Sequence, residues 1–155
     1  LKFLIIGTEN KYTKKMREFA HSNKFADKIV FTGWVSGREH KAAFNSINIL
    51  ISPSVCFDSF PTVNLEAMAC KKPVITTCFG GAKEVVVDGE TGYVINPYDT
   101  ELFAKRIIGL LKNPDKAREF GENGYQRIKE HFTLEKQINQ TIGWYEKFLY
   151  DKENN

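Results

Sequence analysis

The sequence predicts an α/β domain: a parallel sheet covered by helices on both faces, followed by a helical C-terminal extension. Three observations carry this expectation. Short apolar runs that read as strands alternate with segments of helical spacing. The turns joining them are short, as in a parallel sheet with crossover helices. After the last strand pattern, three helical segments follow one another without a further strand. At 155 residues the chain is long enough for one domain with one substantial core.

The elements follow in order. Lys2 to Ile6, "KFLII", is a continuous apolar run stopped by Gly7 and reads as a buried strand. A domain that opens on a strand almost at its first residue predicts that earlier elements are missing, so a longer parent protein is expected. Thr13 to Asn23 has helical spacing through Met16, Phe19 and Ala20. Lys28 to Phe31 is the second strand, stopped by Gly33, and Ser36 to Ile47 the second helix. Asn48 to Ser54 is a strand, Pro61 to Lys71 a helix, Pro73 to Thr77 a strand and Ala82 to Val86 a short helix. Tyr93 to Asn96 is the last strand. The closing helices run from Thr100 to Leu111, Pro114 to His131 and Leu134 to Tyr150. Residues 1–150 are expected to form the domain and 151–155 a frayed tail. Met16, Met68, Trp144, Tyr145 and Phe148 read as core or helix-packing residues. The last helix, with Tyr145, Phe148 and Leu149, is apolar enough to expose a patch or to pack on a neighbouring copy.

Composition narrows the function classes. Hydrophobic residues make up 42% and charged residues 26%, the balance of a soluble globular domain. A net charge of +3 is too small and too scattered to argue for nucleic acid. The clusters Lys11, Lys14, Lys15 and Lys71, Lys72 read as solvated faces. Three cysteines (Cys56, Cys70 and Cys78) with no C-x-x-C indicate neither a disulfide framework nor a zinc site, and a reducing, cytoplasmic setting is expected. No apolar run approaches the ~18–20 residues of a membrane span. There is no G-x-G-x-x-G after a strand, no Walker lysine motif, no G-x-S-x-G turn and no D-x-D. The three histidines lie far apart, so no metal site is expected.

The informative stretch is "SVCFDSFPTVNLEAMACKKPV", Ser54 to Val74. Asp58 and Glu66 stand on either side of a helix start at Pro61. The first N–H groups of that helix, at Thr62, Val63 and Asn64, have no partner within it and favour an anion such as phosphate. In open α/β sheets, ligands bind beyond the carboxyl ends of the strands, where this turn falls. Glu66 shares a face with Thr62 and Val63. It would repel a phosphate at contact but suits the hydroxyls of a sugar or ribose. Val63, Ala67 and Cys70 form an adjacent stripe expected to pack on the sheet. Gly80-Gly81, after the next strand, would let backbone approach a ligand closely. Trp34, at a strand end, is a candidate for contact with a base or for packing. Spacing alone leaves a plain alternative open, in which Asp58 is a loop acid, Glu66 a surface helix residue and Gly80-Gly81 a flexible turn.

The segment from Ser52 to Asp99, together with "FTGWVS", "FGENGYQRIKEHFT" and the final Trp-Tyr helix, resembles the nucleotide-sugar-binding core of family 4 retaining glycosyltransferases. The resemblance runs from Leu1 to about Leu149. It implies the C-terminal Rossmann-like domain, one half of a GT-B fold, whose other half binds the acceptor. It matches the family's paired glutamates to Asp58 and Glu66 as the catalytic carboxylates, Asp58 on donor-sugar hydroxyls and Glu66 on the ribose. Ser59, Phe60, Pro61, Thr62 and Val63 would hold the sugar and diphosphate, with Gly80 and Gly81 beside them. Trp34, Val35 and Ser36 would lie beside the base. The implied substrate is a UDP- or GDP-linked sugar, with no metal or other cofactor. The implied partners are the N-terminal acceptor domain of the same protein and, for the parent, the inner face of the cell membrane; polysaccharide or glycolipid assembly is the implied setting. The final helix would reach back to the other domain. A nucleotide-sugar epimerase of the same fold and a non-catalytic binding module remain alternatives. Three departures stand out. Asp58 replaces the usual Glu, Lys71 stands where glycine is common, and the Arg and Lys that grip the diphosphate lie on a unit this chain lacks. The 155 residues alone are therefore expected to be inactive as a transferase.

Overall fold

A computed structural model describes residues 1–153. The backbone divides into two compact units, Leu1–Ile47 and Asn48 onward.

The first unit contains β1 (Phe3–Ile6), α1 (Lys11–Ser22), a 3-10 turn (Ala26–Lys28), β2 (Ile29–Gly33) and α2 (Gly37–Ser46). β1 and β2 pair in parallel, Phe3 opposite Ile29 and Ile5 opposite Phe31, with an irregularity between Ile5 and Ile6. Helix α1 starts two residues earlier than its apolar spacing suggests. Asn10 caps it, accepting from the N–H groups of Tyr12 and Thr13, while Thr13 returns its hydroxyl to the Asn10 N–H. This reciprocal box fixes the start. Phe19 and Phe25 meet edge to face at 5.7 Å, and Arg17 lies over the Phe31 ring at 4.1 Å. β1 departs from the expectation of a fully buried strand: Phe3 and Ile6 are exposed and Leu4 and Ile5 half-buried. Among the described residues its hydrogen-bonded neighbour is β2, and the buried apolar residues of this unit are few: Ala20, Ala43 and Phe44.

The second unit carries a three-stranded parallel sheet in the order β3 (Leu50–Ser52), β4 (Val74–Thr77), β5 (Gly92–Ile95). Its helices are α3 (Thr62–Ala69), α4 (Ala82–Val85), α5 (Thr100–Lys112), α6 (Pro114–His131) and α7 (Leu134–Glu153). β4 is central and wholly buried. Alternate residues of a strand face opposite sides, and β4 uses both. Ile75 joins Ile95, Phe103, Leu110 and Phe120 in one core cluster roofed by α5 and α6. On the other side Thr76 meets Asn64 of α3, whose Nδ2 donates to the Thr76 hydroxyl at 3.1 Å. Helices therefore cover both faces of this sheet. Full burial of Phe120 alone contributes roughly 1.5–3 kcal/mol.

α6 lies close enough to α3 that a Cβ on Gly121 would strike the Lys71 carbonyl. Lys71 itself is left-handed, with φ +56, which explains why glycine would be at ease there. Its ammonium pairs with Glu122 at 2.8 Å and lies over the Tyr125 ring. Helix α7 is exposed along all its described side chains. Met68 is core, but Met16, Trp144, Tyr145 and Phe148 are exposed, contrary to the packing role expected of them. Leu134, Ile138, Ile142, Tyr145 and Leu149 stand in one stripe at spacings of three and four residues. The backbone of Asp151 to Glu153 is helical, and the remainder of the expected tail, Asn154 and Asn155, lies outside the described residues. No described helix is long and apolar enough to cross a membrane.

Candidate functional site

Strands β3 and β4 end side by side in a parallel pair, Ser52 opposite Thr76. The loops that leave them therefore emerge on one rim. The first loop, Pro53 to Pro61, carries Asp58, Ser59 and Phe60. The second, Cys78 to Gly81, carries the glycine pair.

The two loops are joined backbone to backbone. The Gly81 N–H donates to the Asp58 carbonyl at 2.9 Å. A Cβ on Gly80 would strike the Asp58 carbonyl, and one on Gly81 the Ser59 carbonyl. Gly80 also has φ +63, a region that side chains rarely adopt. The sequence suggested that these glycines admit a ligand; here the close approach they permit is that of the Asp58–Ser59 backbone. Asp58 turns its own loop as well, its Oδ1 accepting the Phe60 N–H at 3.0 Å.

Helix α3 starts where this loop ends. Pro61 is the residue before the first helical turn, rather than its first member, with φ −71 and ψ 95. No side chain caps the helix. The Asn64 N–H, expected to be free, donates to the Pro61 carbonyl at 3.1 Å. The open donors of the first turn are thus those of Thr62 and Val63. Thr62 is exposed and Val63 half-buried. Glu66, half-buried, lies one turn on along their face. The helix seats itself through Asn64, Ala67 and Met68, all buried; of the expected stripe Ala67 is buried, while Val63 and Cys70 are half-buried. Asn64 was not singled out in the sequence because amides so seldom occupy a core.

Trp34 and Val35 belong to the first unit, in the loop between β2 and α2. Trp34 is 76% exposed. Gly33 before it has φ +73. Ser36 precedes α2 without capping it by its side chain.

Two concavities among the described residues lie elsewhere. One of about 380 Å³ in the first unit is lined by residues such as Gly7, Asn10 and Tyr12. One of about 240 Å³ in the second lies between α6 and the loop before β5, lined by Thr91, Asn123 and Arg127. Neither is lined by Asp58 or Glu66. The candidate site is an open rim on which Asp58, Ser59 and Thr62 are exposed, so the chemistry of its groups, not enclosure, marks it out.

The rim carries aromatic residues that the sequence reading passed over. Phe57, Phe79 and Tyr98 follow β3, β4 and β5 respectively. Phe57 and Phe79 stack at 5.5 Å and Phe79 meets Tyr98 at 6.1 Å. One aromatic residue a few positions beyond each strand was the available signal.

The family model described as glycosyl transferases group 1 matches residues 1–127. The chain belongs to the group 1 glycosyltransferases. Among curated members of this family, the N-acetyl-alpha-D-glucosaminyl L-malate synthase of Bacillus anthracis is 36% identical over 125 residues, which are 81% of this chain and 31% of that protein. The capsular polysaccharide biosynthesis glycosyltransferase CapM of Staphylococcus aureus is 30% identical over 156 residues, 99% of this chain and 40% of that one. The chain thus spans well under half the length of these glycosyltransferases. Anabaena Alr3699/HepE, solved in complex with UDP, superposes with a TM-score of 0.84 at 21% identity, covering 92% of this chain and 41% of that one. That likeness establishes the fold, the α/β architecture of GT-B glycosyltransferases.

Proposed function

We propose that this chain is the C-terminal, donor-binding domain of a retaining glycosyltransferase of family 4. The parent would move a hexosyl group from a UDP- or GDP-linked sugar to a glycan or lipid-linked acceptor held by an N-terminal domain. One observation carries the reading: α3 begins without a side-chain cap, with the Thr62 and Val63 N–H groups open and a carboxylate on either side.

When the glycosidic bond of a nucleotide sugar breaks, negative charge builds on the departing diphosphate. Fixed N–H donors and the positive end of a helix stabilise that charge without reorganising. Glu66 grips ribose hydroxyls, and Asp58 presents its remaining carboxylate oxygen to the donor sugar. Ser59 to Val63, backed by Gly80 and Gly81, supply the floor. The scheme uses helix dipole and basic side chains, the latter from the parent, and assigns no role to a metal. UDP bound to the Anabaena neighbour and the capsular role in the name of the Staphylococcus relative support this donor class and a role in polysaccharide assembly. An open rim is what a donor domain presents when the acceptor domain forms the opposite wall. The parent is assigned to the cytoplasm, at the inner face of the membrane where lipid-linked acceptors are found.

The test is a calorimetric titration of the parent protein with UDP, GDP and their sugar conjugates. Saturable binding of one series, lost in Glu66→Ala, is the expected result; no binding in either series would overturn the proposal.

One observation favours a second reading, a binding module without transfer chemistry. Asp58 spends one oxygen on the Phe60 N–H, a task a purely structural residue would also perform. Asp58→Asn in the parent separates the two, because Asn keeps the turn bond and loses the charge. Transfer collapses in this variant if Asp58 is catalytic and persists if the residue only shapes the loop.

A further inference from the structure

Two loops make the proposed donor site, and their spacing is set by a third element far along the chain. Arg127, in the last turns of α6, donates from Nε to the Val85 carbonyl at 2.9 Å and from Nη2 to the Glu84 carbonyl at 2.8 Å. These are terminal carbonyls of α4, which have no partner within so short a helix. The planar guanidinium fork meets both at once, which a lysine cannot do. The same guanidinium lies over the ring of Phe132, 5.4 Å from its centroid. Phe132 is the residue that ends α6, and its ring packs on Phe60 at 5.9 Å. Phe60 stands in the first donor loop, next to the uncapped start of α3.

The contacts close into a ring. From Phe60 the chain turns back through the Asp58 carboxylate. The Asp58 carbonyl takes the Gly81 N–H, and Gly81 starts α4. α4 ends on Arg127, Arg127 rests on Phe132, and Phe132 returns to Phe60. α4 has little freedom within this ring, since Ala82, Val85 and Val86 are buried.

We propose that the carboxyl end of α6 is a clamp that sets the donor site, with Arg127 and Phe132 as positioning residues for the Phe60 loop and the Gly80–Gly81 loop together. This rests on the donor-site reading given above. Neither residue is assigned contact with substrate. Their role is to keep the open amides of α3 and the Gly80–Gly81 turn at one spacing, so that a nucleotide diphosphate meets a preformed cradle. A misplacement of about 1 Å at such a cradle is enough to cost on the order of a hundredfold in rate.

The experiment compares Arg127→Lys, Arg127→Ala and Phe132→Leu with Asn113→Ala. Asn113 caps the far end of α6, accepting from the Lys116 N–H at 3.0 Å, so its loss weakens the same helix away from the clamp. Hydrogen exchange of the ligand-free chain is read first. The clamp variants should speed exchange in 58–62 and in 82–86 together, and Asn113→Ala should spare both. UDP affinity of the parent, measured below the melting temperature of every variant, should fall about tenfold in Arg127→Lys, as when the cradle holds its competent spacing about a tenth of the time, and hold in Asn113→Ala. In the parent the loss should appear in the donor KM and kcat alike. Uncoupled exchange in the two loops, or equal effects of Asn113→Ala and Arg127→Lys, would overturn the clamp. If the wild-type parent binds no nucleotide, the donor-site reading fails while the exchange experiment still judges the coupling. Should Arg127→Ala not fold, Arg127→Lys and Phe132→Leu carry the comparison.

Discussion

At the start of α1, Asn10 turns its side-chain oxygen onto the N–H groups of Tyr12 and Thr13, and Thr13 answers with its hydroxyl. At the start of α3 no side chain does either. Both helices follow a parallel strand and both begin with the same unpaired donors. In the first the chain has satisfied its own amides; in the second it has put a proline before them and left Thr62 and Val63 open. The other long helices sort the same way. Asp99, Asn113 and Thr133 cap α5, α6 and α7 with side-chain oxygens. Ser36 could cap α2 and does not. Among the described helices of eight residues or more, the two uncapped starts, at α2 and α3, adjoin the segments around Val35 and around Thr62 that the sequence marked for a nucleotide sugar. A capped helix end contributes stability, and an uncapped one at a strand's carboxyl edge is free to contribute binding.

The sharpest way to break the comparison is at the carboxylate behind the open amides. Glu66→Ala in the parent protein should reduce donor kcat/KM by about 10- to 150-fold, the range for losing hydrogen bonds to a charged acceptor at ~1.5–3 kcal/mol. Steady-state kinetics with varied donor decide it, and an unchanged constant removes Glu66 from the site. Next in size is a change that deletes a single amide proton. Thr62→Pro removes the N–H at the first helical position, where proline is tolerated. The extended Pro61, with ψ 95, accommodates a following proline. UDP affinity by calorimetry should drop about tenfold with the melting temperature nearly unchanged. Equal binding by this variant would mean the diphosphate does not rest there.

Two stability effects complete the contrast. Gly81→Ala forces a Cβ against the Ser59 carbonyl. It should destabilise the chain by about 1–3 kcal/mol, as overpacking does, read from urea denaturation. Asn10→Ala should cost about 1 kcal/mol for the lost cap and leave nucleotide affinity untouched. A loss of affinity in that variant would erase the distinction between the two helix starts.

The smallest effect is electrostatic and lies where α6 meets the turn after α3. The Lys71 ammonium beside Glu122 holds that carboxyl below its ordinary pKa, with Gln126 adding a hydrogen bond. A carboxylate with a depressed folded-state pKa contributes stability above its unfolded value and loses it as pH falls through the folded one. Thermal melts from neutral to strongly acid pH should therefore show a slightly shallower acid limb in Glu122→Gln. The difference should be slight because both side chains are about half exposed.

Most of the fold was legible because its signals are local. Pro114 and Asn113 mark one helix start and His131 its end, and the apolar runs at Ile75 and Val94 locate strands within a residue or two. The start of α1 was misread because a capping box depends on side-chain geometry that apolar spacing does not report. β1 was read as buried from its composition, but Phe3 and Ile6 are exposed, because burial depends on what packs against a strand. At the candidate site, Asp58, Glu66 and the helix start between them were visible as residue types at a suggestive spacing. The contact of Gly80 and Gly81 with the Asp58–Ser59 backbone was not, and neither was the bridge from Arg127 to α4. These join residues 22 to 43 positions apart, and a single sequence carries no measure of which distant groups meet.

By itself the sequence determined the class of the domain, the strand–helix order of its parts and the identity of the carboxylates beside a helix start, since periodicity, proline and turn residues act over a few positions. Only the tertiary structure decided which amides remain open, what the glycine pair packs against and which distant arginine bonds the end of α4. Those outcomes depend on the distance between chain segments after burial has been satisfied, and local propensity has no bearing on that distance.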